Sequence, residues 1–129
     1  MLRGKSFVTY LFVVSLIFAA VPVFAQQEVQ KVTITVAEPS EDKYTQEPKE
    51  VIVRPGKVEF TLVNKGTKDH ALAAKIQDKD IRLVRVATPG QSAKGEPVEL
   101  SAGEYEIYCN RTTGGSHKNK GMVGKLIVK

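Results

Sequence analysis

Residues 100–128 read LSAGEYEIYCNRTTGGSHKNKGMVGKLIV, and this stretch decides how the chain is expected to fold. Two runs within it, 104–109 and 123–128, turn successive side chains to opposite faces, which is the period of a β-strand. The alternation places Cys109 on the apolar face of the first run and Met122 on the apolar face of the second. If the two runs pair as a hairpin, both sulfur-bearing side chains lie at the same end of it.

The same short alternation recurs through the rest of the chain, and no helical period of useful length appears after Ala25. Turn residues such as Pro55-Gly56 separate the alternating runs. About eight short strands in a single domain predict an all-β protein built as an antiparallel sandwich. The further strands are predicted at 32–36, 51–53, 58–62, 71–76 and 81–86, and loops at 39–48 and 88–97.

The start of the chain has the layout of a secretory signal peptide. Arg3 and Lys5 precede an apolar run, and small or β-branched residues stand near its end at 23–25. We therefore predict a signal peptide over residues 1–25 and an exported domain over residues 26–129, located in the periplasm or outside the cell. The same apolar run is long enough to cross a bilayer, so an uncleaved N-terminal anchor stays open as the alternative.

The charge of the chain bears on its possible partners more than on its fold. The chain has a formal net charge of +5 at pH 7, which is too small and too mixed to indicate nucleic-acid binding. From residue 107 onward there are basic residues and no acids, so this end would attract a redox partner that carries an acidic patch. A solvated surface is the plainer reading of these residues. They are Arg111, Lys118, Lys120, Lys125 and Lys129.

Four side chains after residue 25 carry the chemistry: His70, Cys109, His117 and Met122. Each alone has an ordinary explanation, such as a structural histidine, a buried thiol or a methionine that fills a gap. A single thiol in an exported protein is nevertheless exposed to oxidation unless something occupies it. A thiolate, two imidazoles and a weak thioether are the ligands of a blue-copper electron-transfer site, so together they predict one copper ion.

Two segments resemble the cupredoxins, the small type-1 blue copper proteins related to plastocyanin and azurin. They are residues 51–70, VIVRPGKVEFTLVNKGTKDH, and residues 100–128; the first strand and its following loop with Tyr44 are also similar. The resemblance implies a Greek-key β-sandwich and a tyrosine corner at 103–105. It also implies a copper site in which His70, Cys109 and His117 are strong ligands and Met122 is the weak one.

The chain departs from the family between two of these residues. Seven residues separate Cys109 from His117, a longer loop than plastocyanin-like and azurin-like members usually have. Its glycines and small side chains predict a loop that is mobile without copper, from residue 110 to residue 120. Ala71 also stands where several members have an asparagine after the first histidine.

These observations predict a monomeric electron carrier that exchanges one electron at a time with redox proteins through the exposed edge of His117. Two alternatives stay open: a periplasmic copper carrier or storage protein, and a metal-free sandwich that acts as a binding module. We do not expect an enzyme, because the chain has no Ser-His-acid set and no Gly-rich phosphate loop. After signal cleavage we expect no membrane attachment, and we expect no nucleic-acid partner.

Overall fold

The computed structural model describes residues 4, 19–22 and 26–129, and the signal peptide predicted over residues 1–25 therefore lies largely outside the described residues. The described part contains ten strands and no helix, and so no helix that is long and apolar enough to cross a membrane. The strands are β1 (Gln30–Ala37), β2 (Thr45–Glu47), β3 (Glu50–Val53), β4 (Gly56–Asn64), β5 (His70–Ile76), β6 (Lys79–Ala87), β7 (Ser92–Lys94), β8 (Val98–Leu100), β9 (Gly103–Tyr108) and β10 (Val123–Val128).

The strands form two five-stranded sheets that pack as a sandwich. One sheet has the order β2-β1-β4-β7, with β8 pairing with the other end of β4, and the second has the order β3-β10-β9-β5-β6. The predicted all-β sandwich is confirmed. The prediction that the sandwich is antiparallel is wrong for two strand pairs, since β1 runs parallel to β4 and β3 runs parallel to β10.

The parallel pairs arise because the chain changes sheet between them. After β1 and β2 the chain enters the second sheet as β3 and returns as β4, so β1 and β4 become neighbours through a crossover. The alternation of a strand reveals its buried face but not its neighbour's direction. The two predicted loops are also partly wrong, because residues 39–48 include β2 and residues 88–97 include β7, both short edge strands.

The core between the sheets is filled by the apolar face of each strand. In β4 the side chains of Val58, Phe60 and Leu62 are fully buried, while Glu59 and Thr61 between them are partly exposed. This is the hydrophobic alternation from which the strand was predicted. The other large side chains that are fully enclosed include Ile34, Val36, Leu72, Ile107 and Leu126.

The predicted hairpin forms and places the candidate site at one end of the second sheet. Strands β9 and β10 pair antiparallel from Tyr108 opposite Val123 onward, so the end of β9 meets the start of β10. Strand β5 pairs antiparallel with β9 on its other side, so β5 begins at that same end. The predicted tyrosine corner forms at the far end of β9, where the Tyr105 hydroxyl donates a hydrogen bond to the Ser101 carbonyl at 2.8 Å.

Candidate metal centre

A hydrogen-bonded turn positions His70 at the first residue of β5. The preceding strand β4 ends at Asn64, whose side-chain amide donates to the carbonyls of Lys68, at 2.7 Å, and Ala87, at 2.8 Å. The oxygen of the same side chain accepts the Gly66 N–H at 2.8 Å. Asn64 is itself buried, so these bonds satisfy its polar atoms and hold the turn that delivers His70 to the core.

Glu38 holds the His70 ring at its Nε2 atom, on the side away from the other predicted ligands. Its carboxylate accepts the backbone N–H groups of Thr67, at 2.7 Å, and Lys68, at 3.1 Å, and it lies 2.5 Å from His70 Nε2. Burial alone would raise the pKa of Glu38, but the bonds from Thr67 and His70 outweigh it and lower that pKa. Glu38 is therefore a carboxylate that accepts the Nε2 hydrogen of His70.

No sequence pattern identifies Glu38 as part of the site. The residue follows β1 and stands 32 positions before His70, and no local pattern links the two. The contact exists because β1 and β4 are neighbours in the first sheet, which brings the end of β1 against the turn after β4. Only knowledge of that parallel pairing would have identified it.

Cys109 follows β9 and faces the core, as its strand alternation predicts. Its side chain is 1% exposed, and its Sγ accepts the Ala71 N–H at 3.4 Å. Its own N–H donates to the Met122 carbonyl at 3.0 Å, which extends the hairpin by one residue pair. Burial raises the pKa of the Cys109 thiol, partly offset by the N–H groups of Ala71 and Arg111, so in the metal-free site the thiol keeps its hydrogen.

His117 is held inside the long loop by its backbone and by its ring. Its N–H donates to the Arg111 carbonyl and its own carbonyl accepts the Met122 N–H, both at 3.0 Å. Its ring Nε2 donates to the Thr113 carbonyl at 2.8 Å. The His117 side chain is fully buried, so the prediction of an exposed ring edge is wrong. The loop folds back so that Thr113 covers the Nε2 edge of the ring.

Tyr44 closes the remaining side of the site. Its ring meets the rings of His117 and His70 edge-on, with centroids 5.0 Å and 6.2 Å away. The Tyr44 N–H donates to the Lys120 carbonyl at 2.8 Å, and Lys120 Nζ lies 4.9 Å from the centre of the tyrosine ring. The Tyr44 hydroxyl is buried and has no hydrogen-bond partner among the described residues. The sequence resemblance included Tyr44 but assigned it no role.

Met122 lies where the sequence predicts it, immediately before β10, and its side chain is fully enclosed. Its backbone bonds to both Cys109 and His117, so the three residues are tied together at the end of the hairpin. The role of Met122 as the weak axial ligand stays a prediction.

Three of the predicted ligands converge on one point. The Nδ1 atoms of His70 and His117 lie 3.1 Å apart, and Cys109 Sγ lies 3.8 Å and 3.6 Å from them respectively. Three ligands around one ion, with bonds of about 2.0 to 2.3 Å, lie roughly 3.5 to 4.0 Å from one another. The two sulfur–nitrogen separations fit this spacing, and the nitrogen–nitrogen separation is slightly shorter. Among the described residues, these three side chains form a cluster that is compact enough to hold a metal ion.

The three donor atoms have fewer hydrogens than lone pairs directed at their meeting point, which favours a bound cation. Each ring turns its Nε2 to an oxygen that accepts, the Glu38 carboxylate or the Thr113 carbonyl, so each Nδ1 presents a lone pair. The two nitrogens and the sulfur then share one thiol hydrogen at most. Burial lowers the pKa of His70, against the opposing effect of Glu38, so an additional proton on that ring is disfavoured. The donor set therefore fits a metal ion that replaces the thiol hydrogen.

Comparisons with known proteins agree with this geometry. The sequence profile of the cupredoxin-like domain matches residues 8–128. No curated protein sequence matches the chain. The profile spans both segments on which the resemblance was based and all four predicted ligands.

Solved structures with a similar fold include copper proteins. An auracyanin from Roseiflexus castenholzii gives a TM-score of 0.58 at 19% identity, covering 75% of this chain and 96% of that one. Auracyanin A from Chloroflexus aurantiacus, described as a blue copper protein, gives 0.57 at 15% identity, covering 77% and 99%. A copper nitrite reductase from Nitrosomonas europaea gives 0.61 at 21% identity, covering 79% and 42%. At these identities the likeness is one of fold.

Proposed function

Because the chain belongs to the family of cupredoxin-like domains, we propose that it binds one copper ion and carries single electrons between redox proteins. His70 and His117 would bind the copper through Nδ1 and Cys109 through Sγ, and Met122 would be the weak axial ligand. Copper bound by this donor set supplies a one-electron couple, since thiolate favours Cu(I) and imidazole suits both oxidation states.

The observation that carries the proposal is the meeting of three lone-pair donors in a buried pocket. His70, Cys109 and His117 are each at most 1% exposed, and their donor atoms lie within 4.8 Å of one another. The two Nδ1 lone pairs face each other at 3.1 Å with at most the thiol hydrogen between them, an arrangement that costs free energy unless a cation binds there. The order of these residues along the chain is that of the cupredoxin motif.

The surrounding residues support electron transfer by holding the ligands still. The Glu38 carboxylate and the Thr113 carbonyl each accept an Nε2 hydrogen, which fixes both ring orientations and leaves both Nδ1 atoms free. The Ala71 N–H points at the sulfur and would stabilise the negative charge of a copper-bound thiolate. Ligands that are held by hydrogen bonds from surrounding residues change little in geometry when an electron arrives or leaves. This keeps the reorganisation energy of electron transfer low.

The same burial bears on the copper-carrier alternative. Handing copper to an acceptor requires the acceptor's ligand to reach the metal, and all four predicted ligands are enclosed. We therefore favour electron transfer, and rapid loss of Cu(I) to a chelator would reverse that preference. The metal-free binding module is disfavoured by the two Nδ1 lone pairs that face each other inside the core.

The remaining parts of the proposal concern location and partners. We propose that the protein is exported and that it works as a non-enzymatic carrier. The absence of acids beyond residue 107 supports a partner with an acidic surface. The cluster of His70, Cys109 and His117 supports a carrier with one metal ion.

Addition of Cu(II) to the purified protein tests the proposal. We expect binding of one copper per chain with an intense thiolate-to-copper absorption band in the red part of the visible spectrum. Ascorbate should bleach the band and an oxidant should restore it. A protein that stays colourless, or that binds copper without this band, would contradict the assignment of Cys109 and the two histidines.

A further inference from the structure

Two arginines of β6 face the same way because the strand is bulged. In a regular strand, Arg82 and Arg85 stand three residues apart and point to opposite faces. The pairing of β6 with β5 shifts register twice, and in each shift β6 contains an additional residue. Leu83 and Val84 are consequently both buried, and the arginines on either side of them are both exposed. Bulges of this kind redirect side chains and occur often beside functional sites.

The redirected arginines border a cavity together with the start of the long loop. The cavity has a volume of about 300 Å³ and is lined by Arg82, Arg85, Asn110 and Arg111. Its lining residues therefore supply three guanidinium groups, which only donate hydrogen bonds, and one amide, whose NH₂ group can donate; none of them carries a carboxylate. Guanidinium groups bind oxyanions through pairs of parallel N–H bonds.

The three guanidinium groups are not neutralised by neighbours. Within the described residues, none of them takes part in an ion pair or a side-chain hydrogen bond. Glu96 borders an adjacent cavity that Arg82 and Arg85 also line, but it forms no ion pair with them. Three like charges that line one cavity and form no ion pair within the described part of the chain repel one another, and an anion between them relieves this repulsion.

Arg111 joins this cavity to the candidate metal centre. It is two residues from Cys109 in sequence, and its carbonyl accepts the His117 N–H at 3.0 Å. An anion that binds Arg111 therefore places negative charge beside the ligands.

We propose that Arg82, Arg85, Asn110 and Arg111 form a binding site for a small oxyanion of the phosphate or sulfate class. A concave cavity lined with donors fits a compact tetrahedral anion better than it fits the broad surface of a partner protein. A further part of the proposal rests on the proposed function: the bound anion stabilises the more positive, oxidised copper and so lowers the reduction potential.

Titration of the copper-free protein with inorganic phosphate tests the site independently of the metal. At constant ionic strength, we expect saturable binding of one phosphate per chain, with amide chemical-shift changes centred on Arg82, Arg85 and Arg111. Arg82→Gln and Arg85→Gln should each weaken binding about tenfold, since each removes a charge-assisted bond. Arg54→Gln is the matched control, because Arg54 is exposed at the end of β3 outside the cavity and should leave the affinity unchanged.

Three results would overturn the site. They are absence of saturable shifts, equal weakening by Arg54→Gln, and displacement of phosphate by a polyglutamate probe that binds the same residues more tightly. The last result would indicate a docking surface for an acidic protein. An amide spectrum that stays dispersed in each variant shows that the sandwich is folded, so a loss of binding is then a property of the site.

The redox coupling has its own measurement. In the copper-loaded protein, phosphate should lower the midpoint potential of the wild type and leave that of Arg82→Gln/Arg85→Gln unchanged. Phosphate binding without any potential shift would overturn the coupling while the site itself stands. Failure to bind copper would contradict the proposed function, and the titration of the copper-free protein would still decide the oxyanion site.

Discussion

The ring of His117 donates its Nε2 hydrogen to the carbonyl oxygen of Thr113 at 2.8 Å, so the loop that delivers this residue also covers it. The long segment between Cys109 and His117 therefore folds back on the site. It is closed by its own backbone bonds, including Gly115 N–H to the Thr112 carbonyl at 2.9 Å. An electron that enters by way of His117 must pass through this cover.

Deletion of residues 113–115 should uncover the ring. The shortened chain keeps four residues between Cys109 and His117, and it loses both the Thr113 carbonyl and the Gly114 carbonyl that accepts Lys120 Nζ. We expect copper to remain bound and more tightly, because the entropy saved by ordering a shorter loop outweighs the loss of the Thr113 acceptor, whose place at the uncovered Nε2 water can take. Electron exchange with hexacyanoferrate should become faster. Stopped-flow bleaching and chelator competition measure the two effects.

Gly115→Ala serves as the comparison for this deletion. Gly115 has a φ of +108°, a backbone conformation that costs a residue with a Cβ about 1 kcal/mol or more. The substitution leaves the length of the loop over His117 unchanged. Its electron exchange should stay close to that of the wild type. Loss of copper binding on deletion would mean that the long loop is a required part of the site.

Glu38→Gln should weaken copper binding by about 10- to 100-fold, the usual effect of removing a group that orients a ligating histidine. The amide loses the charge that strengthens the bond to His70 Nε2, and one end of it cannot accept the N–H of Thr67 or Lys68. Competition with a chelator of known affinity measures the change. Glu41→Gln is the control, since that side chain is exposed and forms no ion pair among the described residues. Equal losses in the two variants would contradict the role of Glu38.

Cys109→Ser and Met122→Leu should separate the strong sulfur ligand from the weak one. Cys109→Ser removes the charge-transfer partner, so the visible band should disappear. Met122→Leu should keep the band and raise or lower the reduction potential, because the axial bond is long and weak. Absorbance and cyclic voltammetry report the two results. If both variants lost the band equally, Met122 would not be axial.

Tyr44→Phe should leave the free energy of unfolding unchanged or raise it by up to about 1 kcal/mol. The hydroxyl that it removes is buried without a partner, and such a group costs free energy in the folded state. Tyr44→Ala should lower the same free energy by about 3 kcal/mol, since the ring packs against both histidines. Urea denaturation of the copper-free protein measures both. A marked loss in Tyr44→Phe would mean that the hydroxyl is satisfied in solution.

The copper-free protein should lose stability as the pH falls. Burial lowers the pKa of His70 below its usual value of 6.5, so below that pH the unfolded chain takes up the proton more readily than the folded one. Glu38, whose pKa lies below its usual value of 4.5, adds a second loss at lower pH in the same direction. Urea titrations from about pH 7.5 to about pH 3, in steps of about one unit, measure the decline. His70→Asn should flatten its upper part, and an unchanged profile in that variant would contradict the assignment.

Much of the fold and part of the site follow from residues that are close in sequence. The period of two predicts β9 and β10, their pairing as a hairpin, and the burial of Cys109 and Met122 at one end of it. These are properties of a single segment and its turn, so the order of residues is sufficient. Family resemblance then identified His70 and His117 as their companions, and both reach the same cluster.

Tertiary structure alone decided which groups contact the predicted ligands. Glu38 reaches His70 because β1 and β4 run parallel, and the bulged β6 brings Arg82 and Arg85 to one face beside Arg111. The covering of His117 likewise depends on how the loop folds back. Alternation along a strand records which face is buried, since burial acts on each residue in turn. It does not record strand direction, register or loop path, because these depend on contacts between residues that are far apart in the chain.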